Sequence, residues 1–216
     1  MQNYSNLYQQ MGGQWQDQDG KINIDNEYSY NTVQEFKNLY DAGYMVPDGE
    51  DANKLFANQQ LIFLPEGTWM LSNMEEISDF EWGETFTPQW DAENIVQGSG
   101  VDQFAMFKTK EERSDEKKEG MVDFLTWLQA NQLEWVKSGA NPTSLAMLDN
   151  EEYVKMPQSF LLKTEKGQAA ISVNAVDGLS YIFDEYDNRS WDMITGKADI
   201  KDTFGEIQKV VEEKMK

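Results

Sequence analysis

The order of helical and strand-like patterns in this sequence predicts an α/β layered fold. Strand-like segments are few and short, stretches of helical periodicity number at least six, and the two kinds are mixed along the 216 residues. Such mixing is typical of domains in which helices pack on a sheet. Hydrophobic residues make up 39% of the chain and aromatic residues 12%, which is enough for one large or two small domains.

The first quarter of the chain predicts a helix, a hairpin and a second helix. Residues 1–13 carry apolar side chains at helical spacing and end at two glycines. Residues 14–25 predict a hairpin, because Asp19–Gly20 is a tight-turn signal and isoleucines alternate with polar residues after it. Residues 29–42 predict an amphipathic helix that ends at Gly43.

Residues 55–74 hold the most informative pattern. An apolar run over residues 61–64 predicts a buried strand, which Pro65 ends. Gly67 then permits a sharp turn, and Trp69 begins a predicted helix. A large aromatic residue just past the carboxyl end of a strand lies where ligands bind in open α/β sheets. The alternative is that Trp69 packs in the core, since tryptophan is highly buried on average.

The remainder of the chain predicts two more strands and several helices. The strands cover residues 80–86 and 101–107, and the turn-rich stretch between them, residues 89–100, reads as a linker or hinge. Periodic apolar residues predict the helices. They cover residues 121–128, 132–138, 173–186 and 199–216.

The composition excludes several classes of function. There are 18 basic and 39 acidic residues, a net charge of −21, which argues against binding to nucleic acid or to anionic membranes. The chain has no His and no Cys, so histidine-based catalysis, disulfides and His or Cys metal ligands are excluded. No apolar stretch approaches the length of a membrane span, and the first residues carry no signal-peptide pattern.

The remaining chemistry favours binding over catalysis. A carboxylate pair, with Glu66 as its best single candidate, would suit a glycosidase, but 39 acidic residues make such pairs unspecific. No glycine-rich phosphate loop and no calcium-loop pattern is present, so no cofactor and no metal is expected. Seven Trp and nine Tyr accompany many Asn and Gln. Aromatic rings with nearby amides and carboxylates suit sugars.

Several ordered blocks carry a resemblance to one family. Gly12-Gly13-Gln14-Trp15 is followed by Asp19-Gly20-Lys21, and residues 36–44, 56–69 and 124–142 form further blocks. In this order they resemble the extracellular solute-binding proteins of bacterial ABC sugar transporters, the maltose-binding-like family. Gln59 and Leu61 depart from the family pattern, which usually has Gly and a small residue there.

The resemblance implies a class II periplasmic-binding-protein-like α/β fold with two lobes. It begins midway through family members, so we expect mostly the second lobe, with the N-terminal part of the fold missing. Residues 1–88 would form a second-lobe segment and residues 89–100 a hinge. Residues 101–140 would belong to the first lobe, and residues 141–216 would return to the second lobe.

The resemblance also implies a set of ligand-binding residues and no catalytic ones. Trp69 would stack on the sugar, and the other members would line the cleft. The set consists of Trp69, Glu66, Gly67, Gly12, Gly13, Trp15, Asn141, Thr143, Asn174 and Asp177. For Trp15 the alternative is hydrophobic cover of the hairpin, and for Asp177 it is a helix cap.

The implied function is non-catalytic capture of an oligosaccharide and its delivery to ABC permease subunits, either as an extracellular lipoprotein or in the periplasm. A carbohydrate-active enzyme that uses Glu66 remains one alternative. A binding protein for another small solute, such as an amino acid or peptide, is the other. That class grips a carboxylate with Arg, and Arg113 and Arg189 are the chain's only arginines.

Overall fold

A computed structural model describes residues 2–77, 79–100, 103–173 and 176–216. Helices dominate these residues. They are α1 (Gln2–Gln10), α2 (Glu27–Asp41), α3 (Ala52–Ala57), α4 (Leu71–Ile77), α5 (Asp115–Ala130), α6 (Gln132–Val136), α7 (Phe160–Lys163), α8 (Glu165–Ala170), α9 (Leu179–Ile194) and α10 (Ile200–Lys214). Short 3₁₀ helices cover Thr68–Met70, Leu145–Met147, Tyr153–Lys155 and Pro157–Ser159.

Two short strands form a parallel pair. They are β1 (Gln97–Ser99) and β2 (Ile171–Val173), and Gln97 lies opposite Ile171 in their register. Neither strand lies where the sequence predicted one, since residues 89–100 were expected to be a linker. A parallel pair joins segments far apart in sequence, which local patterns do not reveal.

The chain divides into two compact units. Unit 1 comprises Met1–Leu55, Phe86–Gly100 and Ala170–Lys216, and unit 2 comprises Phe56–Thr85 and Val101–Ala169. These divisions differ from the predicted segment boundaries at residues 88 and 140, and they share the boundary after residue 100. The assignment of the predicted segments to the two lobes of the family stays a prediction.

Unit 1 is built on an aromatic core. Tyr4 stacks on Tyr186 with ring centroids 4.0 Å apart, and Phe204 lies 6.1 Å from Tyr4. Around them pack the apolar faces of α1, α2, α9 and α10, as their periodicity predicts. The remaining buried members are Tyr8, Trp15, Ile22, Ile24, Val33, Ile182, Met193, Ile194, Ile207 and Val211.

The local signals in unit 1 are confirmed. The predicted hairpin is present as an antiparallel bridge between Gln16 and Ile22, with Gly20 at φ 77° in its turn. Asn26 accepts a hydrogen bond from the backbone of Ser29 and caps α2. Gly43, at φ 74°, ends that helix as predicted.

Unit 2 has few buried apolar side chains. Among the described residues of this unit, the buried large apolar side chains are Leu71, Met74, Val136 and Tyr153. The predicted helix at residues 121–128 lies within α5, but its apolar residues are largely exposed, with Phe124 at 50%. The amphipathic pattern therefore predicted the helix correctly but not its burial.

The three strands predicted in unit 2 are wrong where the structure describes them. Residues 61–64, 80–85 and 103–107 form no strand, and Phe63 in the first of them is 79% exposed. Within the described part of the chain, no backbone N–H of these three ranges donates a hydrogen bond. A strand requires a partner strand to accept those bonds. We call these three ranges the unpaired segments.

Candidate functional site

The Trp69 turn, residues 65–70, lies in unit 2 and leads into α4. Gly67 is extended at φ −94°, and its carbonyl accepts a hydrogen bond from Met70 N at 2.9 Å. Behind the turn, Leu71 and Met74 are buried and anchor α4. The prediction that Trp69 begins a helix is confirmed, although its first turn is 3₁₀ in form.

The indole of Trp69 is exposed and lies over Gly67. The side chain is 58% exposed, which contradicts the alternative that Trp69 packs in the core. A Cβ placed on Gly67 would stand 2.1 Å from the indole ring, well inside van der Waals contact. A glycine at position 67 is therefore what allows the ring to lie across the turn.

The carboxylate of Glu66 lies beside this turn. One of its oxygens accepts a hydrogen bond from Gly67 N at 3.2 Å, and the side chain is exposed. An exposed carboxylate next to an exposed indole combines a hydrogen-bond acceptor with an apolar face. This combination can bind a polyhydroxylated ligand.

The Asn141 loop, residues 139–143, packs against the Trp69 turn. Gly139 has φ +100°, and a Cβ placed on it would stand 2.0 Å from the carbonyl oxygen of Thr68. The structure therefore brings the predicted site residue Asn141 onto the same part of unit 2 as Trp69. Thr143 lies at the exposed end of this loop.

Two buried side chains fix the Asn141 loop. Gln158 is 2% exposed and donates hydrogen bonds to the carbonyls of Val136 at 2.9 Å and Ala140 at 3.3 Å. Tyr153 donates from its hydroxyl to Oδ1 of Asn141 at 2.9 Å, and burial raises the pKa of Tyr153 to about 12. Because this phenol stays protonated at neutral pH, Oδ1 of Asn141 acts as the acceptor in this bond, and the amide N–H groups are the donors that Asn141 can offer a ligand.

The predicted site residues of unit 1 are mostly part of its core. Trp15 is 4% exposed, with its ring 4.6 Å from that of Tyr8, which matches the alternative of hydrophobic cover. Gly13 is buried against the ring of Tyr8. A Cβ placed on Gly13 would stand 2.3 Å from that ring. Gly12 has φ +100° and is exposed.

Asp177 and Asn174 were predicted near the start of α9. Asp177 is exposed, and the residue at the N-cap is Gly178, with no side-chain hydrogen bond there. The alternative that Asp177 caps the helix is therefore wrong. Asn174 lies outside the described residues. The ligand roles of these residues stay predictions.

A separate cleft of about 490 Å³ in unit 2 is lined by Trp82, Glu84 and Pro157, among others. One carboxylate oxygen of Glu84 is buried with no hydrogen-bond partner among the described residues, and burial raises the pKa of this carboxyl. The cleft includes neither Trp69 nor Glu66. Among the described residues, no group of three or more acidic side chains is placed to hold a metal ion.

Sequence comparison decides the family. Residues 1–160 match the model of the bacterial extracellular solute-binding protein family. The chain belongs to this family. The resemblance inferred from the ordered blocks is thus confirmed. Among proteins of curated function, no sequence match was found. No helix within the described ranges is long and apolar enough to cross a membrane.

Solved structures show the fold of this solute-binding chain. The cyclic α-maltosyl-1,6-maltose binding protein of Arthrobacter globiformis aligns over 98% of the chain with TM-score 0.73 and 19% identity. The maltose/maltodextrin-binding domain of Bdellovibrio bacteriovorus, bound to maltotriose, aligns over 98% with TM-score 0.73 and 17% identity. A Listeria monocytogenes ABC substrate-binding protein in complex with cycloalternan aligns over 98% with TM-score 0.75 and 16% identity.

The predicted periplasmic-binding-protein-like fold is therefore confirmed. The chain spans only 55% to 57% of the length of these three structures.

Tyr153, Gln158 and Gly139 were not predicted as site residues. The first two gave no local signal, and Gly139 directly follows the predicted helix at residues 132–138, where glycine is typical of a helix end.

Proposed function

We propose that this solute-binding protein is the oligosaccharide-binding component of an ABC importer. The observation that carries the proposal is the exposed indole of Trp69, which lies over Gly67 on a turn packed against the Asn141 loop. A pyranose presents an apolar C–H face and a rim of hydroxyls. The indole suits the first, and the Glu66 carboxylate and the Asn141 amide suit the second.

The family and the fold support this proposal. The family is one of extracellular solute-binding proteins, and structures with this fold were solved as saccharide-binding proteins or with maltotriose or cycloalternan. Membership in a family of binding proteins supports capture without chemistry. Delivery of the sugar to permease subunits, and attachment outside the cell as a lipoprotein, are further parts of the proposal.

Calorimetric titration with a panel of saccharides tests the ligand class. The panel contains maltose, maltotriose, cellotriose, xylotriose and cycloalternan, with arginine and a dipeptide as controls for an amino-acid or peptide binder. We expect at least one saccharide to bind and both controls to give no heat. Binding of a control compound and of no saccharide would overturn the proposal.

A turnover assay separates binding from catalysis. Chromogenic glycosides are incubated with the wild-type chain and with Glu66→Gln, and release of the chromophore is followed. We expect no release from either protein. Release that Glu66→Gln abolishes would assign the protein to the glycosidases instead.

A further inference from the structure

Trp90 is a second exposed tryptophan, and it lies in unit 1. Its side chain is 56% exposed, although tryptophan is highly buried on average. It belongs to the Trp90 loop, residues 87–96, which leads directly into β1. Exposure alone does not mark a site, because single exposed apolar side chains are common on protein surfaces. What distinguishes Trp90 is the set of hydrogen bonds that fixes its loop.

The Trp90 loop is held by one buried side chain of α1. Gln10 is 3% exposed, and its Oε1 accepts a hydrogen bond from the backbone N of Trp90 at 2.9 Å. Its Nε2 donates to the carbonyls of Val96 at 3.0 Å and Pro88 at 3.3 Å. Asn94 adds a bond from Nδ2 to the Gln10 carbonyl at 3.0 Å. Gln10 therefore fixes both ends and the middle of the loop.

A second set of amide bonds closes the loop on itself. Gln89 donates to the carbonyl of Thr87 at 2.8 Å and accepts from Val96 N at 2.8 Å. Oε1 of Gln97, the first residue of β1, accepts from both N and Oγ1 of Thr87. A loop determined by this many bonds holds the backbone at Trp90 in place before any ligand arrives, which lowers the entropic cost of binding.

Acidic side chains follow the indole in the same loop. Asp91 and Glu93 are both exposed, and Oδ1 of Asp91 accepts a bond from Glu93 N at 2.8 Å. Their remaining carboxylate oxygens can accept hydrogen bonds from hydroxyl groups. The loop thus carries an exposed indole followed in the sequence by two exposed carboxylates, the same kinds of side chain as at the Trp69 turn.

From this geometry we propose that the Trp90 loop is a saccharide-binding subsite in which the indole of Trp90 stacks on a sugar ring. The proposal rests on the proposed function for its ligand class. Asp91 and Glu93 accept hydrogen bonds from the sugar hydroxyls, and Gln10 acts as the positioning residue that holds the indole.

Fluorine NMR of the full chain labelled with 5-fluorotryptophan tests the subsite. The seven tryptophans give separate probes, and Trp90→Phe, Trp69→Phe and Trp127→Phe assign three of their signals. The labelled protein is titrated with maltotriose, cellotriose and xylotriose, and with choline as an organic cation. Trp127 is the matched control, since it is 59% exposed but lies on α5 rather than on a fixed loop.

We expect the Trp90 signal to move saturably with at least one saccharide while the Trp127 signal stays unchanged. Trp90→Ala should weaken binding of that saccharide about tenfold, as the loss of one aromatic stacking contact does. Gln10→Ala should broaden or shift the Trp90 signal in the free protein and weaken the same binding, with the urea midpoint recorded as a check on folding.

The outcomes separate the two proposals. If the Trp69 signal responds to a saccharide and the Trp90 signal does not, the subsite is overturned and the proposed function stands. If Trp90 responds and Trp69 does not, the subsite stands and the stacking role of Trp69 fails. A response of Trp90 to choline alone, or to no ligand, overturns the subsite.

Discussion

Gly67→Ala is expected to move the indole of Trp69 while leaving unit 2 folded. The backbone at Gly67 is extended, at φ −94° and ψ 160°, a conformation that alanine adopts without strain. The added methyl group would stand 2.1, 2.2 and 2.4 Å from three carbons of the Trp69 ring. Carbon atoms pack best at about 3.5 to 4.0 Å, so the ring must retreat by roughly 1.4 Å or more.

The cost in stability is bounded by how much of Trp69 is buried. The side chain is 58% exposed, so only about two-fifths of its area can be lost from contact. A fully buried tryptophan covers about 150 to 250 Å², so at about 25 cal/mol per Å² complete loss of contact costs at most about 1.5 to 2.5 kcal/mol. Because the exposed ring can rotate rather than leave, we expect about 1 kcal/mol.

Gly67→Ala should change the affinity for saccharide more than it changes the free energy of unfolding. The shift of the Trp69 signal is measured by fluorine NMR, the stability by urea unfolding, and the affinity by calorimetry with the best saccharide. Gly83→Ala is the matched control in unit 2, because a Cβ there meets nothing within 4 Å. We expect a shifted Trp69 signal and about tenfold weaker binding for Gly67→Ala alone. Identical Trp69 signals in both variants and the wild type would refute the placement of the ring.

Three further predictions concern packing, charge and the unpaired segments. Gly139→Ala, which meets the backbone of Thr68 at 2.0 Å and adds strain at φ +100°, should cost about 2 to 5 kcal/mol in urea unfolding. Gly43→Ala adds similar backbone strain, but its Cβ meets nothing within 4 Å, so it should cost about 1 to 2 kcal/mol. Equal losses of stability in the two variants would contradict the contact between Gly139 and Thr68. The hydrogen bond from Lys214 and the ion pair with Arg189 lower the pKa of Glu185. The stability difference between wild type and Glu185→Gln should therefore be largest above the ordinary pKa of glutamate. It should shrink as the pH falls through the lowered pKa. A difference that does not change between about pH 3 and about pH 7 would argue against that network. Amide protons of the unpaired segments should exchange with solvent within seconds, roughly at the rate of an unfolded chain, and strong protection there would show that they pair with a partner.

Much of unit 1 could be predicted because its signals are local. The Asp19–Gly20 turn, the stop at Gly43 and the apolar periodicity of the last two helices each depend on a few neighbouring residues. The aromatic core follows from the same periodicity, because helices must bury their apolar faces. The periodicity did not predict which aromatic rings pack together, such as those of Tyr4 and Tyr186.

Strands could not be predicted in the same way. Residues 61–64 are apolar and β-prone, yet a strand depends on a second segment that accepts its hydrogen bonds. None of the unpaired segments has such a partner among the described residues. Conversely, Gln97–Ser99 has a turn-like sequence but pairs with Ile171–Val173, far away in the chain.

Only the part of the candidate site that depends on neighbouring residues could be predicted. Trp69 and its turn formed a local pattern of proline, glycine and tryptophan, and the structure exposes that indole. The bond from Tyr153 to Asn141 and the bonds of Gln158 join residues at least 12 positions apart, which no short motif encodes. The Trp90 loop was missed because the residue that holds it, Gln10, lies 80 positions before Trp90 in the chain.

The proposed function depends above all on stacking of the Trp69 indole on a bound saccharide. The most direct test compares the dissociation constants of Trp69→Ala and Trp127→Ala for the tightest saccharide of the panel, measured by calorimetry. Both residues are similarly exposed, at 58% and 59%, so loss of a surface indole alone affects them equally. If Trp69 stacks on the sugar, binding is at least about tenfold weaker for Trp69→Ala and unchanged for Trp127→Ala. Equal affinities in the two variants and the wild type would contradict it.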